Sequence, residues 1–183
     1  NAGRGPQSAA AFEEAAAEAN AADAEALYQR AAEQYLVCGR LEDGRRVLLP
    51  LLASHGVRYP TTTAGSLLLT LAYLPKLALR FLRGDANAGE PSQELLLRID
   101  ACNRAARGTV VVDPVRATYF SVRGLVDALR CGDGFRIGRT LCFVGTTLAP
   151  LAGPASRLAK PMLARAERIA SEVRDARLDG MIR

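Results

Sequence analysis

Leucine and alanine recur at helical spacing along almost the whole chain, and short polar or turn-forming stretches separate the runs. The pattern predicts eight helices, over residues 6–19, 23–38, 40–55, 64–83, 92–107, 114–131, 135–149 and 154–174. Glycines at positions 39, 56, 84, 108 and 132 mark five predicted helix ends, because glycine readily adopts the left-handed conformation that closes a helix. Thr109–Val112 is the only stretch with strand propensity, and one strand cannot form a sheet. The predicted fold class is therefore all-α.

The second and third predicted helices have the residue pattern of a tetratricopeptide repeat. Two aromatic positions, a close-packing alanine pair, a small residue and two core leucines follow one another, at Tyr28 and Tyr35, Ala31 and Ala32, Gly44, and Leu48 and Leu51. Small residues let paired helices approach closely, and large ones fill the space between neighbouring pairs. Residues 113–149 match the pattern less well, and 64–107 lack it. We therefore predict a tetratricopeptide-like stack of about seven to eight antiparallel helices.

Residues 1–183 are predicted to form a single helical-repeat domain. The opening Asn1-Ala2-Gly3 resembles the remains of a removed tag, so we expect residues 1–5 to be a disordered start. The segment 85-DANAGEPS-92 is the most polar and turn-prone part of the chain, which predicts an internal connector. No stretch resembles a secretion signal, and the cysteines are widely spaced, at Cys38, Cys102, Cys131 and Cys142. We expect four small core residues in a protein of the reducing cytoplasm.

Composition and charge exclude some classes of function and make others less favoured. Apolar residues make up 49 % of the chain and charged residues 23 %, a balance that excludes a disordered chain. The net charge is +5, but the basic residues mostly alternate with apolar ones at helical spacing. The sequence therefore does not favour nucleic acid as a partner. One alternative stays open, a basic helical module that binds nucleic acid or an anionic membrane surface.

The sequence contains no recognisable catalytic motif. A P-loop and the glycine-rich, H-R-D and D-F-G signatures of kinases are absent. His55 is the only histidine, and its place at the end of the third predicted helix is typical of a side chain that complements the helix dipole. We therefore predict no catalytic, cofactor-binding or metal-binding residue and no cofactor. A small enzyme with an unrecognised helical active site is the remaining enzymatic alternative.

One polar feature and one apolar segment of the predicted helices are candidates for binding. Arg116 and Arg123 are seven residues apart on one helix face, where they could line a groove for an acidic peptide. The simpler interpretation of Arg116 is an ion pair with the helix-capping residue Asp113. The segment 67-LLLTLAYLPKLALRFL-82 is predicted to be too short and too charged to span a membrane, and we interpret it as a buried repeat helix.

Three segments together resemble one protein family. They are 31-AAEQYLVCGRLEDGRRVLLPLL-52, 96-LLRIDACNRAARGTVVVDPVRATYF-120 and 128-ALRCGDGFRIGRTL-141. Their order resembles the C-terminal helical region of large bacterial multidomain serine/threonine protein kinases. The resemblance implies an upstream kinase domain and ATPase module, and a tetratricopeptide-like tail that carries none of their catalytic motifs. It also implies a regulatory role in signalling, with a protein or peptide as partner, including the upstream domains of the same chain.

Overall fold

A computed structural model describes residues 4–83, 92–149, 154–174, 178, 180 and 181. In these residues the chain forms eight α-helices of 14 residues or more and no strand, which confirms the all-α prediction. The helices are α1 (Gly5–Glu18), α2 (Ala21–Val37), α3 (Leu41–Ser54), α4 (Thr63–Arg83), α5 (Gln93–Thr109), α6 (Pro114–Cys131), α7 (Gly134–Leu148) and α8 (Pro154–Val173). Each begins and ends within about two residues of its predicted bounds, the usual uncertainty of helix termini.

The helix ends follow the local chemistry of the sequence. Gly39, Gly56 and Gly132 have φ values of 78°, 64° and 71°, in the left-handed region, directly after α2, α3 and α6. The Asp113 carboxylate accepts a hydrogen bond from the Arg116 backbone N–H at 2.9 Å and so caps the start of α6. The stops predicted at these three glycines and this predicted cap are confirmed. The end predicted before Gly108 is wrong, because α5 continues through Gly108, which leaves space for the Leu36 side chain, to Thr109. Gly84 lies outside the described residues.

Two further local predictions came out differently, and two others lie mostly outside the described residues. Asn20, not Asp23, caps α2: its side chain accepts from the Asp23 backbone N–H at 3.1 Å, which puts Asp23 in the first turn. Thr109–Val112 is the last residue of α5 followed by a turn, with Val111 86 % exposed. Most of the predicted connector 85–92 lies outside the described residues, as do residues 1–3 of the predicted disordered start.

The contacts of the chain form two compact units, Asn1–Leu74 with Asp100–Arg123, and Pro75–Ile99 with Gly124–Arg183. That residues 1–183 make a single domain stays a prediction. In the first unit α1 packs on α2 and α2 packs on α3. The side chains that fill this unit are fully or almost fully buried: Ala31, Ala32, Leu36, Leu48, Leu52, Cys102, Ala105, Tyr119 and Phe120.

The second unit is built on the packing of α7 against α8. Gly145 of α7 lies under Leu163 of α8, and a Cβ added there would come within 2.7 Å of the leucine Cγ. Such a close approach of two helices requires a small residue at the contact. Leu141, Ala166 and Leu178 are fully buried in the same unit.

The four cysteines divide into two classes. Cys102, Cys131 and Cys142 are buried, as predicted for core residues, and burial raises the pKa of the last two thiols. Cys38 is exposed, so its prediction as a core residue is wrong. It follows the last residue of α2, next to the turn at Gly39, and its Sγ lies against Gly5 at the start of α1.

Cys38 is expected to be the one thiol that reacts rapidly with a maleimide in the folded protein. The other three are buried, and a thiol must be accessible and ionised to react. Mass spectrometry of labelled peptides measures each site, and labelling in guanidinium chloride, where all four should react, is the control. Rapid labelling of any buried cysteine in native buffer would contradict the burial described here.

Candidate interaction surface

The residues of the predicted repeat pattern lie together in the pair of helices α2 and α3. Ala32 and Leu48 are each 1 % exposed, and Tyr35 is 7 % exposed. Gly44 is buried beneath Leu36, and a Cβ added to it would lie 2.5 Å from the leucine Cγ. Tyr28 and Leu51 are half-buried. Gly44 thus lies at a close contact between α2 and α3, and the assignment of these residues to a tetratricopeptide repeat stays a prediction.

A polar cluster ties α1 to this helix pair. The Tyr35 hydroxyl donates to Glu13 Oε2 at 2.8 Å, and Arg46 Nη2 donates to the same oxygen at 2.9 Å. The Arg46 hydrogen bond lowers the pKa of Glu13, with help from the Tyr35 hydroxyl and against the effect of burial. Burial and the bond to Glu13 raise the pKa of Tyr35, so the phenol stays a donor. The cluster fixes the orientation of α1 on the pair.

A cleft of about 230 Å³ opens beside this cluster. It is lined by Glu13, Tyr28, Arg46, Val47, Pro50 and Leu51. Its one carboxylate and one guanidinium already bind each other, so the cleft presents an apolar wall and a neutralised pair. Apart from the paired charges and the Tyr28 side chain the lining is apolar, so the cleft does not select for a charged ligand.

Replacing Glu13 by glutamine is expected to lower the free energy of unfolding by less than about 1 kcal/mol near neutral pH. The effect is small because the Arg46 side chain is 59 % exposed and water screens the pair. The folded-state pKa of Glu13 is lowered, so its contribution exists above the ordinary carboxyl range and is lost as pH falls through the folded pKa. Urea unfolding of the two proteins should therefore converge in acid. Glu14→Gln, at an exposed position of α1, is the matched control.

The single histidine is a buried link between α2 and α3. His55 follows the last residue of α3, as predicted, and is 6 % exposed. Its Nε2 lies 2.6 Å from Glu25 Oε1, and the Gln29 side chain donates to the same oxygen at 3.0 Å. Among the described residues, no group of three or more His, Cys, Asp and Glu side chains could hold a metal ion. His55 therefore has a structural role that the sequence pattern did not reveal.

Arg116 is held by the protein's own groups. Its guanidinium pairs with Asp113, donates from Nε to the Pro60 carbonyl oxygen at 2.9 Å, and stacks 4.9 Å from the centre of the Tyr59 ring. The side chain is 15 % exposed. The geometry is the capping and ion-pair arrangement given above as the simpler interpretation, extended by a tie to residue 60 that no sequence pattern indicates.

Arg123 stacks on a different ring. Its guanidinium carbon lies 5.0 Å from the centre of the Tyr73 ring, which itself contacts Tyr119 edge-on at 6.2 Å. Stacking of a guanidinium on an aromatic face stabilises the pair and keeps the cation near the surface. Arg116 and Arg123 are thus held by separate tyrosines, and a peptide groove lined by both stays a prediction.

Among the described residues, α4 carries a group of neighbouring exposed leucines, although the sequence pattern predicted that this helix is buried. We define the leucine face as Leu67, Leu68, Leu71 and Leu74, which are 51 %, 68 %, 60 % and 42 % exposed. Ala64 and Ala72 are exposed on the same side of the helix. At about 100° per residue these positions cover one continuous arc that contains no polar side chain. The prediction of a buried repeat helix is therefore wrong.

The side of α4 opposite the leucine face carries hydroxyl groups, and it faces inward. Ser66 is fully buried and donates to the Thr62 carbonyl oxygen at 3.1 Å, while Thr70 donates to the Ser66 carbonyl oxygen at 2.7 Å. Because the helix backbone satisfies both hydroxyls, their burial costs little. Tyr73, on the same side, packs against Tyr119. The inward side thus combines buried hydroxyl groups, which bind the helix's own backbone, with apolar side chains such as Leu77.

α4 also meets the length and composition of a membrane span. Thr63–Phe81 has a mean hydropathy of 1.2, and 11 % of its apolar window is buried. The prediction of a segment too short and too charged to span rested on residues 67–82 alone; the longer stretch Thr63–Phe81 meets both criteria, with Lys76 and Arg80 as its only charged residues. Length and composition alone are weak evidence for a span. That the chain has no integral membrane segment stays a prediction.

Comparison with known proteins identifies no relative: no family model, no curated protein and no solved structure matches the chain.

Proposed function

We propose that this chain is a non-catalytic interaction segment of a bacterial serine/threonine kinase-type signalling protein, and that it acts in the cytoplasm. Support for the parent protein comes from the three segments that resemble the helical tail of such kinases. Support for an interaction role comes from the helical fold and from the repeat pattern of α2 and α3, which is typical of scaffolds that bind proteins. Kinase activity and ATP binding would belong to the upstream domains.

The leucine face of α4 is the observation that carries the proposal. The largest contiguous apolar patch on a soluble monomer covers roughly 300–600 Å² and often has a function in binding. Four neighbouring leucines, each at least 42 % exposed, form such a surface. Its burial by a partner would release water from apolar groups, which is the main driving force of protein association.

A partner bound at the leucine face could regulate the linked kinase or ATPase. A ligand shifts a conformational equilibrium only by its difference in affinity for the two states. If the leucine face is accessible in one state of the parent protein and covered in the other, partner binding would favour the first state. The segment would then transmit binding without any chemistry of its own.

The alternative of a basic module for nucleic acid or an anionic membrane draws less support from this surface. Residues 63–74 carry no charged side chain, so the leucine face offers no group to a phosphate. The nearest charge along α4 is Lys76. Binding of nucleic acid depends on several basic contacts to phosphates and weakens strongly with salt.

Calorimetric titration of this segment with the upstream kinase and ATPase domains tests the proposal. Heat of binding is expected, and it should disappear with Leu68→Glu, which places a charge in the leucine face. Val111→Glu is the matched control, because Val111 is 86 % exposed and lies away from α4 in the chain. Absence of heat with either domain, together with absence of self-association, would overturn the interaction role.

A further inference from the structure

The spacing of the leucine face matches that of a helix that packs along another helix. Ala64 and Leu71 are seven residues apart, as are Leu67 and Leu74, and Leu68 fills the position beside this stripe. Seven residues are close to two turns, so the side chains recur along one line of the helix. A partner helix laid along that line would meet an apolar side chain at every turn. The spacing therefore favours a helix as the occupant.

The charges of α4 favour a neutral, apolar partner helix. Residues 63–74 contain neither acidic nor basic side chains, so an acidic peptide or a lipid phosphate would find no opposite charge on this surface. A helix with its own uncharged apolar stripe has the complementary chemistry. The same twelve residues in another copy of the chain provide that stripe.

The exposed area is compatible with a reversible contact between two copies. From their exposed fractions, the four leucines present on the order of 400 Å² per copy, so two copies together bury at most roughly 800 Å², which is less than the roughly 1,200 Å² of a stable specific interface and in the range of weak contacts. Ala64 and Ala72 add to this area and, being small, allow a close approach of the two backbones. An interface of this size corresponds to weak association rather than to an obligate dimer.

We propose that the leucine face pairs with the leucine face of a second copy of this chain, in an antiparallel, two-fold symmetric contact between the two α4 helices. This inference rests on the proposed interaction function and names its partner. Two-fold symmetry uses the same patch on both copies, and most soluble oligomers are built this way. Leu71 lies near the middle of the leucine face, so in this arrangement it meets Leu71 of the other copy.

Sedimentation equilibrium of the protein, in a reducing buffer that keeps the exposed Cys38 from cross-linking, tests this pairing. The protein should show a concentration-dependent monomer–dimer equilibrium. Leu71→Glu and Leu71→Lys should each raise the dissociation constant at least tenfold, because like charges meet at the two-fold axis. Mixing the two variants should restore the dimer, because the charges are then opposite. Val111→Glu should leave the equilibrium unchanged, and circular dichroism should show native helix content for every variant.

Three outcomes would overturn the pairing. One is a protein that stays monomeric at all accessible concentrations. Another is a dimer that Leu71→Glu leaves intact, or that the mixture of opposite charges fails to restore. The third is a monomer that binds phosphatidylcholine–phosphatidylglycerol vesicles through the leucine face, which would make a membrane surface the occupant. If the protein is monomeric but binds the upstream domains with measurable heat, the pairing of two copies is overturned and the proposed interaction function is still supported.

Discussion

Replacing Phe120 by alanine is expected to lower the free energy of unfolding of the first unit by about 3–5 kcal/mol. Phe120 is fully buried, and its ring centre lies 5.1 Å from that of Tyr119 and 5.9 Å from that of Tyr59. Truncation removes the apolar contacts of the ring and leaves a cavity between two rings that are themselves held in place. Urea unfolding followed by circular dichroism measures the loss.

The titration of Tyr119 provides a second measurement at the same place. Burial, with smaller contributions from Cys102 and Tyr73, raises the pKa of Tyr119 to about 12. A cavity that admits water beside the ring should lower that pKa towards the ordinary value of about 10. Because the folded pKa is raised, the stability from this group is present below the unfolded pKa and is lost as pH rises through the folded pKa. Ultraviolet absorbance of tyrosinate follows the titration.

Phe120→Leu is the matched control for the cavity. Leucine keeps most of the apolar volume, so its cost should stay below about 1.5 kcal/mol, with a smaller change in the Tyr119 titration. An alanine variant that lost under 1 kcal/mol and left the Tyr119 titration unchanged would contradict this arrangement of the rings.

The fold class and the helix ends could be predicted because they depend on local chemistry. Helix periodicity is a property of each segment alone, and the left-handed glycines at 39, 56 and 132 act within a single turn. The same holds for Asp113, whose carboxylate caps α6 three residues away. Asn20 and Asp23 show the limit of this approach, since both are capping residues and only the backbone conformation decides between them.

The exposed surface could not be predicted because periodicity defines an arc and not the direction in which it faces. The leucines of α4 and the hydroxyls of Ser66 and Thr70 occupy opposite sides of one helix. The rule that apolar residues are buried selects the leucines, but the hydroxyls bind their own backbone and can be buried instead. The polar residues on this side of α4 carry hydroxyl groups and no charge, and this is the signal in the sequence that the side can be buried.

The long-range contacts of single side chains could not be predicted from the sequence either. Arg116 donates to the carbonyl oxygen of Pro60, and His55 meets Glu25, thirty residues earlier. Both interactions depend on how whole helices are placed, and a pattern within one helix carries no information about them. Arg116 and His55 have side chains of the kind that often bind ligands, but here both stabilise the packing of the first unit.

Leu36 of α2 lies between two glycines, and replacing it by alanine is expected to cost about 2–5 kcal/mol in the stability of the first unit. Leu36 is 2 % exposed. A Cβ added to Gly44 would lie 2.5 Å from its Cγ, and one added to Gly108 would lie 2.8 Å from its Cδ1. The two glycines on α3 and α5 thus form the space that this leucine fills. Guanidinium unfolding measures the loss of stability.

The contact between Leu36 and Gly44 predicts that the stability losses caused by Leu36→Ala and Gly44→Ala will not be additive. Gly44→Ala alone should destabilise by about 1–3 kcal/mol, because its new Cβ overlaps the Leu36 side chain. In the Leu36→Ala background the overlap is gone, and alanine should then cost little or even stabilise α3, since it is the better helix former. Gly56→Ala is the control: its φ of 64° is strained for alanine, and nothing lies within 4 Å, so its cost should add to that of Leu36→Ala. Additive costs for Gly44 and Leu36 would mean that the leucine does not fill the space above the glycine, and the packing of α2 on α3 would then need another explanation.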